Sequence, residues 1–378
     1  MLILDRYMLR QFIQTFLVCY LSLTGLYIVF DAFTNLDGFL RSAEKSGGLL
    51  ALFASFYGYQ SIMFFDRTSG LLTLVAAMFT VAWIQRHNEM TALLAAGVPR
   101  LRIVRPIIYA GVAISVLAAA SRELLIPQFR EQLSRRSQDL VGDIAQNMRP
   151  CYDNQTGVLI RGKATYGERR RIAEPSFMMP PGLHDYGKQI VADDAFYRPA
   201  EDDRPSGYLL SGVREPKGLD ARPSLSYRGQ PLLITHRDAP QWLQPGECFV
   251  VSEVTFEQVT GGQAFKQFAA TSELIAGLRN PSLDFGADVR VAIHGRIVQP
   301  LLDITLLFLG LPLVVTRYSR NVFVAIGLCL VVVTVFLLTV IGLQYLGGVC
   351  LIGPALAAWA PLLLFVPVAV GLSEGMRA

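Results

Sequence analysis

Arg296, Gln299 and Asp303 recur at i, i+3 and i+7 inside an otherwise apolar stretch. A helix would align them in one polar stripe. Asp66-Arg67 and Arg122-Glu123 interrupt two other apolar stretches. Ionisable groups at membrane depth are costly and are functional candidates for that reason. Two chemistries fit the set. The groups are snorkelling ends and structural ion pairs, or the arginines meet phosphate or carboxylate of an amphipathic ligand whose chains lie on apolar walls. Glu89 belongs to a different setting. It opens the run Glu89-Met90-Thr91-Ala92-Leu93-Leu94-Ala95-Ala96-Gly97, which carries its own helix punctuation. Asn88 stands at the N-cap, the carboxylate suits the positive helix start, Gly97 sits at the end and Pro99 stops continuation. Glu89, Ala92, Leu93 and Ala96 share one face by spacing. About two turns of helix are not stable alone in water. This one either seats in a groove or lies as a tight turn on the lipid surface.

Other chemistries lack their residues. There is no GxxxxGK[ST] loop, so nucleotide hydrolysis by the common route is excluded. His87, His184, His236 and His294 are scattered without metal spacing, and neither a metal nor another cofactor is expected. No Ser-His-Asp or paired-carboxylate pattern stands out. The net charge of +4 is modest and the basic residues form no aromatic-interleaved patch, which argues against nucleic acid. Cys19, Cys329 and Cys350 lie in or beside apolar runs. Cys151 and Cys248 lie in the polar middle of the chain, either as a disulfide or as two unpaired thiols.

The elements that must carry these residues follow from composition. Of 378 residues 52% are hydrophobic and only 17% charged, against about 25% in soluble domains. Mean hydropathy is +0.39. The apolar residues gather in long runs near both ends, the pattern of an integral membrane protein. The first run is long and has no small-residue cleavage site after it, so it is read as a span rather than a signal peptide. Spans are expected over Phe12–Phe30, Thr68–Ile84, Pro106–Ile126, Ile297–Val315, Val322–Leu343 and Leu351–Leu372. Residues 49–65 are expected as a helical approach along the membrane surface or as a buried entry to the second, with Asp66-Arg67 near that surface, and Pro106 takes a first-turn position in the third. Between the two groups of three, a polar helix over Gln128–Met148 leads into short β-type runs at Gly157–Lys163, Arg171–Met178, Gln189–Tyr197, Gly207–Val213, Pro231–His236, Cys248–Val254 and Gln263–Ala270. A long surface loop is expected within 198–230, and a short helix opens at Thr271. The fold class is an α-helical membrane protein, six spans arranged three and three, with an inserted all-β, jelly-roll-like domain. The divisions are 1–128 with the short helix at about 88–97, then 129–290, then 291–378. On one side lie Arg6, Arg10, Arg86, Arg100, Arg102, Arg105, Arg317, Arg320 and Arg377; short loops on the other hold only Arg41 and Lys45. The basic side is cytoplasmic by the positive-inside rule, which places both termini inside and 129–290 outside.

Several stretches, taken in order, resemble the LptF/LptG permease family. Leu4-Asp5-Arg6-Tyr7 looks like the family's opening, and Glu89-Met90-Thr91-Ala92-Leu93-Leu94-Ala95-Ala96-Gly97 is similar to its coupling helix. Glu123-Leu124-Leu125-Ile126-Pro127 resembles the exit of span three. His294-Gly295-Arg296-Ile297-Val298-Gln299-Pro300, with Gly310-Leu311-Pro312-Leu313, resembles the start of span four, and Ala358-Trp359-Ala360-Pro361 the last span. The resemblance implies a permease of the bacterial inner membrane that exports lipopolysaccharide or a related glycolipid. It implies a second such permease, a cytoplasmic ATPase dimer that binds the ATP, and a periplasmic bridge fed by the outward jelly rolls. Glu89, Leu93, Ala96 and Gly97 would then meet the ATPase. Family members often carry a span-one lysine for lipid phosphate, and this chain has none, so Arg67, Arg122, Arg296, Arg41 and Lys45 become the lipid-binding candidates beside Asp66, Glu123, Gln299 and Asp303. Two other classes remain open from the residues: an ion-coupled transporter using Asp303 and Glu123, and a membrane scaffold or sensor with an outward docking domain.

Overall fold

Lipid offers the backbone no hydrogen-bond partner, so long apolar runs become helices. In the computed structural model six helices are long and apolar enough to cross a membrane. The structure describes residues 3–40, 48–134, 145, 148, 150–167, 169–180, 186–201, 204–227, 229–260, 266–280, 282, 286–316 and 322–376. Arg41, Lys45, Arg317, Arg320, Arg377 and most of the expected polar helix after Ser134 lie outside the described residues. The chain divides into two compact units, Met1–Gln138 with Gly286–Ala378, and Asp139–Phe285. Apart from short helical segments at Ile126–Gln128 and Arg130–Ser134, the helices in chain order are α1 (Ile3–Thr34), α2 (Leu49–Arg86), α3 (Glu89–Ala95), α4 (Arg100–Ala120), α5 (Phe256–Thr260), α6 (Thr271–Arg279), α7 (Ala287–Thr316), α8 (Val322–Gly348) and α9 (Pro354–Glu374).

The membrane unit departs from the sequence reading in two places. Residues 49–65 and 68–84 are one helix, α2, of 38 residues. That is about 57 Å, well beyond a hydrocarbon core of about 30 Å. A helix need not break at a charged pair when its side chains find partners, and Asp66 does. Pro106 is not in a first turn: α4 begins at Arg100 behind Pro99, and Pro106 lies inside it. Beyond Ala120 the helix widens into a π turn, Ser121–Leu125, where the Ile126 N–H bonds to the Ser121 carbonyl. Pro127 explains the widening. In an α-register its ring would press on the Glu123 carbonyl and leave that carbonyl without a donor.

α2, α4 and α7 pack through small residues. A Cβ on Gly111 of α4 would stand 2.7 Å from Leu307 and 3.0 Å from Thr73. A Cβ on Gly310 of α7 would collide with Leu74 of α2. Leu72, Ala76 and Ala77 of α2, Ile103 and Ile107 of α4, and Leu302 and Leu309 of α7 fill the shared core.

The second unit is an antiparallel β-domain, as the sequence indicated. Its strands are β1 (Cys151–Tyr152), β2 (Leu159–Arg161), β3 (Ala164–Tyr166), β4 (Arg171–Ala173), β5 (Ser176–Met178), β6 (Gln189–Arg198), β7 (Gly207–Glu215), β8 (Leu225–Tyr227), β9 (Gln230–Thr235) and β10 (Cys248–Val251). The sheet order is β1-β2-β5-β6-β7-β10-β9-β8, with β4 pairing both β3 and β6. Ile160, Ile172, Phe177, Ile190, Tyr208 and Val250 are buried beneath it. The run Arg171–Met178 is two strands, because Glu174 has φ +46° and Pro175 brings no N–H. Within 198–230 the expected strand at Gly207–Val213 is present as β7, and a 3-10 turn at Leu219–Ala221 and β8 further shorten the loop. Lys266–Phe268 is helical rather than part of a strand over Gln263–Ala270, whose first residues lie outside the described ones. Of the two readings of Cys151 and Cys248, the unbonded one holds: they lie on β1 and β10 with β2, β5, β6 and β7 between them in the sheet order. Burial pushes the thiols up, Cys248 to about 12 and Cys151 to about 11.

One buried carboxylate ties this domain together. Asp153 Oδ1 accepts the N–H groups of Gln155 and Thr156, closing the turn after β1, and Oδ2 accepts the Ser252 hydroxyl at 2.6 Å. Tyr208, fully buried on β7, donates to the Val254 carbonyl at 3.0 Å. Beside it, Gly207 faces Val251 across the β7–β10 ladder, so close that an added Cβ would collide with the Val250 carbonyl oxygen. Gly207→Ala is expected to destabilise the domain by about 1–3 kcal/mol, the usual range for overpacking. Limited proteolysis of the full chain checks this: cleavage within 150–255 should accelerate while the membrane unit stays intact.

Candidate functional site

Two sets of residues gather in the membrane unit. The first surrounds α3. This helix is closed at its end as a Schellman motif: the Val98 N–H bonds to the Leu93 carbonyl and the Gly97 N–H to the Leu94 carbonyl, both at 3.0 Å. Gly97 has φ +79°, which is why glycine stands there. Asn88 holds the N-cap position, but with φ 60° and no side-chain bond. Its carbonyl accepts the Ala92 N–H instead. Met90 is buried, and Leu93, Leu94 and Val98 pack on the membrane core. The residues left exposed are Thr91, Ala92, Ala95, Ala96 and Gly97. Leu93 thus faces the body of the unit, apart from Ala96 and Gly97. Glu89 is half-buried, and Tyr7 of α1 donates its hydroxyl to both carboxylate oxygens, at 2.9 and 3.2 Å. Sequence spacing gave no sign of Tyr7 as the partner.

The second set joins α2, α4 and α7. Asp66 Oδ1 accepts two bonds from Arg122, from Nε and Nη2, both at 2.8 Å. The two side chains are 12% and 16% exposed, so this is a desolvated pair rather than a surface one. Arg122 is carried by the π turn, and Glu123, Arg122 and Asp66 all lie close enough to act on Arg296 of α7. One turn along α7 Gln299 donates to Asp303 at 2.9 Å. Asp303 lies directly against Gly70 of α2, where a Cβ would collide with its carboxylate. Asp66 and Arg296 each stand about 30 Å of helix from the far ends of α2 and α7, at Arg86 and Thr316. Arg67 is not with them. It is exposed and faces α1, where it and Asp31 act on Tyr27. The structure therefore brings Arg122, Arg296, Asp66, Glu123, Gln299 and Asp303 together and sets Arg67 apart. The cluster holds two guanidiniums and three carboxyls, so it offers no surplus positive charge. Among the described residues no group of His, Cys, Asp and Glu could hold a metal ion.

Breaking a desolvated pair on one side leaves an uncompensated charge, which commonly costs about 3–5 kcal/mol. Asp66→Asn and Arg122→Gln are each expected to lower the melting temperature of the detergent-solubilised protein. The double variant should recover part of the loss, and Arg67→Gln should leave the melting temperature unchanged. Equal melting in all four would contradict the pairing.

The chain matches the family model described as "Lipopolysaccharide export system permease LptF/LptG" over residues 6–172 and 243–374. The matched stretches include most of the helical residues of the membrane unit, the first strands and the last strand of the β-domain. A comparison with curated proteins finds no match.

Proposed function

This chain belongs to the LptF/LptG family of lipopolysaccharide export permeases, and from that membership we propose that it is one permease subunit of an ATP-driven exporter. In this reading it takes lipopolysaccharide or a related glycolipid out of the inner membrane and hands it to a periplasmic bridge. A second permease of the same kind completes the membrane part, and a separate cytoplasmic ATPase dimer hydrolyses the ATP. The observation that carries the reading is α3. A rigidly capped helix of 7 residues presents a small-residue face of Ala92, Ala95 and Ala96, with a carboxylate at its start. Small side chains let another surface approach the backbone closely, and the carboxylate can accept a charge-assisted bond. Arg86, Arg100, Arg102 and Arg105 flank this helix, which supports a cytoplasmic position for it and a periplasmic one for the β-domain. Arg67, exposed at the opposite end of its span, is the arginine best placed for a lipid phosphate.

Coupling is testable in the purified complex of both permeases and the ATPase. Glu89→Ala is expected to lower lipopolysaccharide-stimulated ATP hydrolysis roughly tenfold, the loss of one charge-assisted bond. Tyr7→Phe should have a smaller effect of the same sign. Unchanged stimulated hydrolysis in Glu89→Ala would reject this assignment of α3.

Topology is testable in spheroplasts. Cys350 is exposed and serves as the background to remove, by Cys350→Ser. Lys217→Cys in that background should then react with a membrane-impermeant thiol reagent, and Glu374→Cys should react only after lysis. The opposite pattern would invert the orientation.

A further inference from the structure

A cationic feature lies at the other end of the membrane unit, away from the Asp66 cluster. Arg102, Arg105, Tyr109 and Ala113 fall on one stripe of α4, and with Leu9 of α1 they line a cleft of about 580 Å³. Arg105 donates from Nε to the Tyr109 hydroxyl at 2.9 Å, and its guanidinium lies over the Tyr109 ring, 5.5 Å from the centroid. That bond uses Nε, and the two terminal nitrogens that fork onto a phosphate are not part of it. Below Arg105 the lining turns apolar. Ala113 lies about 12 Å further along the helix and is exposed in the same cleft. The cleft is thus cationic at the start of α4 and apolar towards the membrane interior, the profile of one phospholipid molecule. Tyr109 sits at the change, as an interfacial aromatic does.

We propose that this cleft between the starts of α1 and α4 is a structural lipid site that takes the headgroup and one acyl chain of an anionic glycerophospholipid. Asp5 also lines the cleft, so its net charge is +1 from two arginines and one carboxylate. That balance matches a phosphodiester of charge −1, and phosphatidylglycerol has a headgroup of that charge to test. The site is distinct from the export path and depends only on the chain lying in a membrane.

The test uses the assembled complex in nanodiscs, with a photo-reactive residue at Ala113. Phosphatidylglycerol in a phosphatidylcholine background should crosslink, and pure phosphatidylcholine should not. Arg102→Gln with Arg105→Gln should lower the crosslink several-fold while melting temperature and Glu89-dependent ATP hydrolysis stay unchanged. Equal capture of phosphatidylcholine, capture of added lipopolysaccharide, or capture of a neighbouring protein subunit instead of lipid would each overturn the proposal. Capture of lipopolysaccharide would place the export path here; the other outcomes leave the export reading untouched.

Discussion

The membrane unit depends on how closely α2, α4 and α7 approach each other. Lipid tails are as apolar as leucine, so hydrophobicity alone does not hold helices together inside a bilayer. Close packing does, and here it rests on Gly111 and Gly310, where an added Cβ would push the Leu307 and Leu74 side chains out of place. Gly70 does the same where the surface is polar, letting the Asp303 carboxylate lie directly on α2. Charged groups drawn into such contact must satisfy one another. Asp66 and Arg122 do so by two bonds onto one carboxylate oxygen. The π turn and the polar stripe follow from the same constraint. The turn aims Arg122 at α2, and the stripe places Arg296 within reach of Asp66, Arg122 and Glu123.

Much of this was legible in the sequence because lipid imposes simple rules. Apolar runs of span length became spans, alternating runs became strands, and the punctuation around Glu89 became a capped helix. Arg296, Gln299 and Asp303 kept their helical spacing. What could not be read was anything set by a partner far away in the chain. A charged dipeptide at Asp66-Arg67 marks a boundary when exposed and an interior pair when Arg122 is within reach, and residues 66 and 122 carry no mutual sign. Asp66 and Arg67 also went opposite ways, because adjacent residues on a helix point about 100° apart. β1, β3 and β8 have two or three residues each, too few to show a period. The widened turn was visible in principle: Pro127 four residues after Glu123 is its cause.

The Tyr7–Glu89 bond bears on how a push on α3 could reach the membrane. A carboxylate has two oxygens and about four acceptor sites, so Glu89 can keep Tyr7 and accept a further donor. An ATPase groove that receives α3 would then be connected to α1 without an intervening loop. Of the six spans α1 is the least buried within the unit. Near its middle Tyr20 donates to the Ser61 carbonyl, and Phe12 and Phe16 are packed in the core. A helix held by so few buried side chains moves at lower cost than α7, which is enclosed along most of its length. The bond at its first turn adds to the contacts α1 makes with α2 through Tyr20–Ser61 and Tyr57–Asp31. In the proposed coupling, a small shift of α3 would reach α1 through the Tyr7–Glu89 bond and the core through Met90 and Leu93.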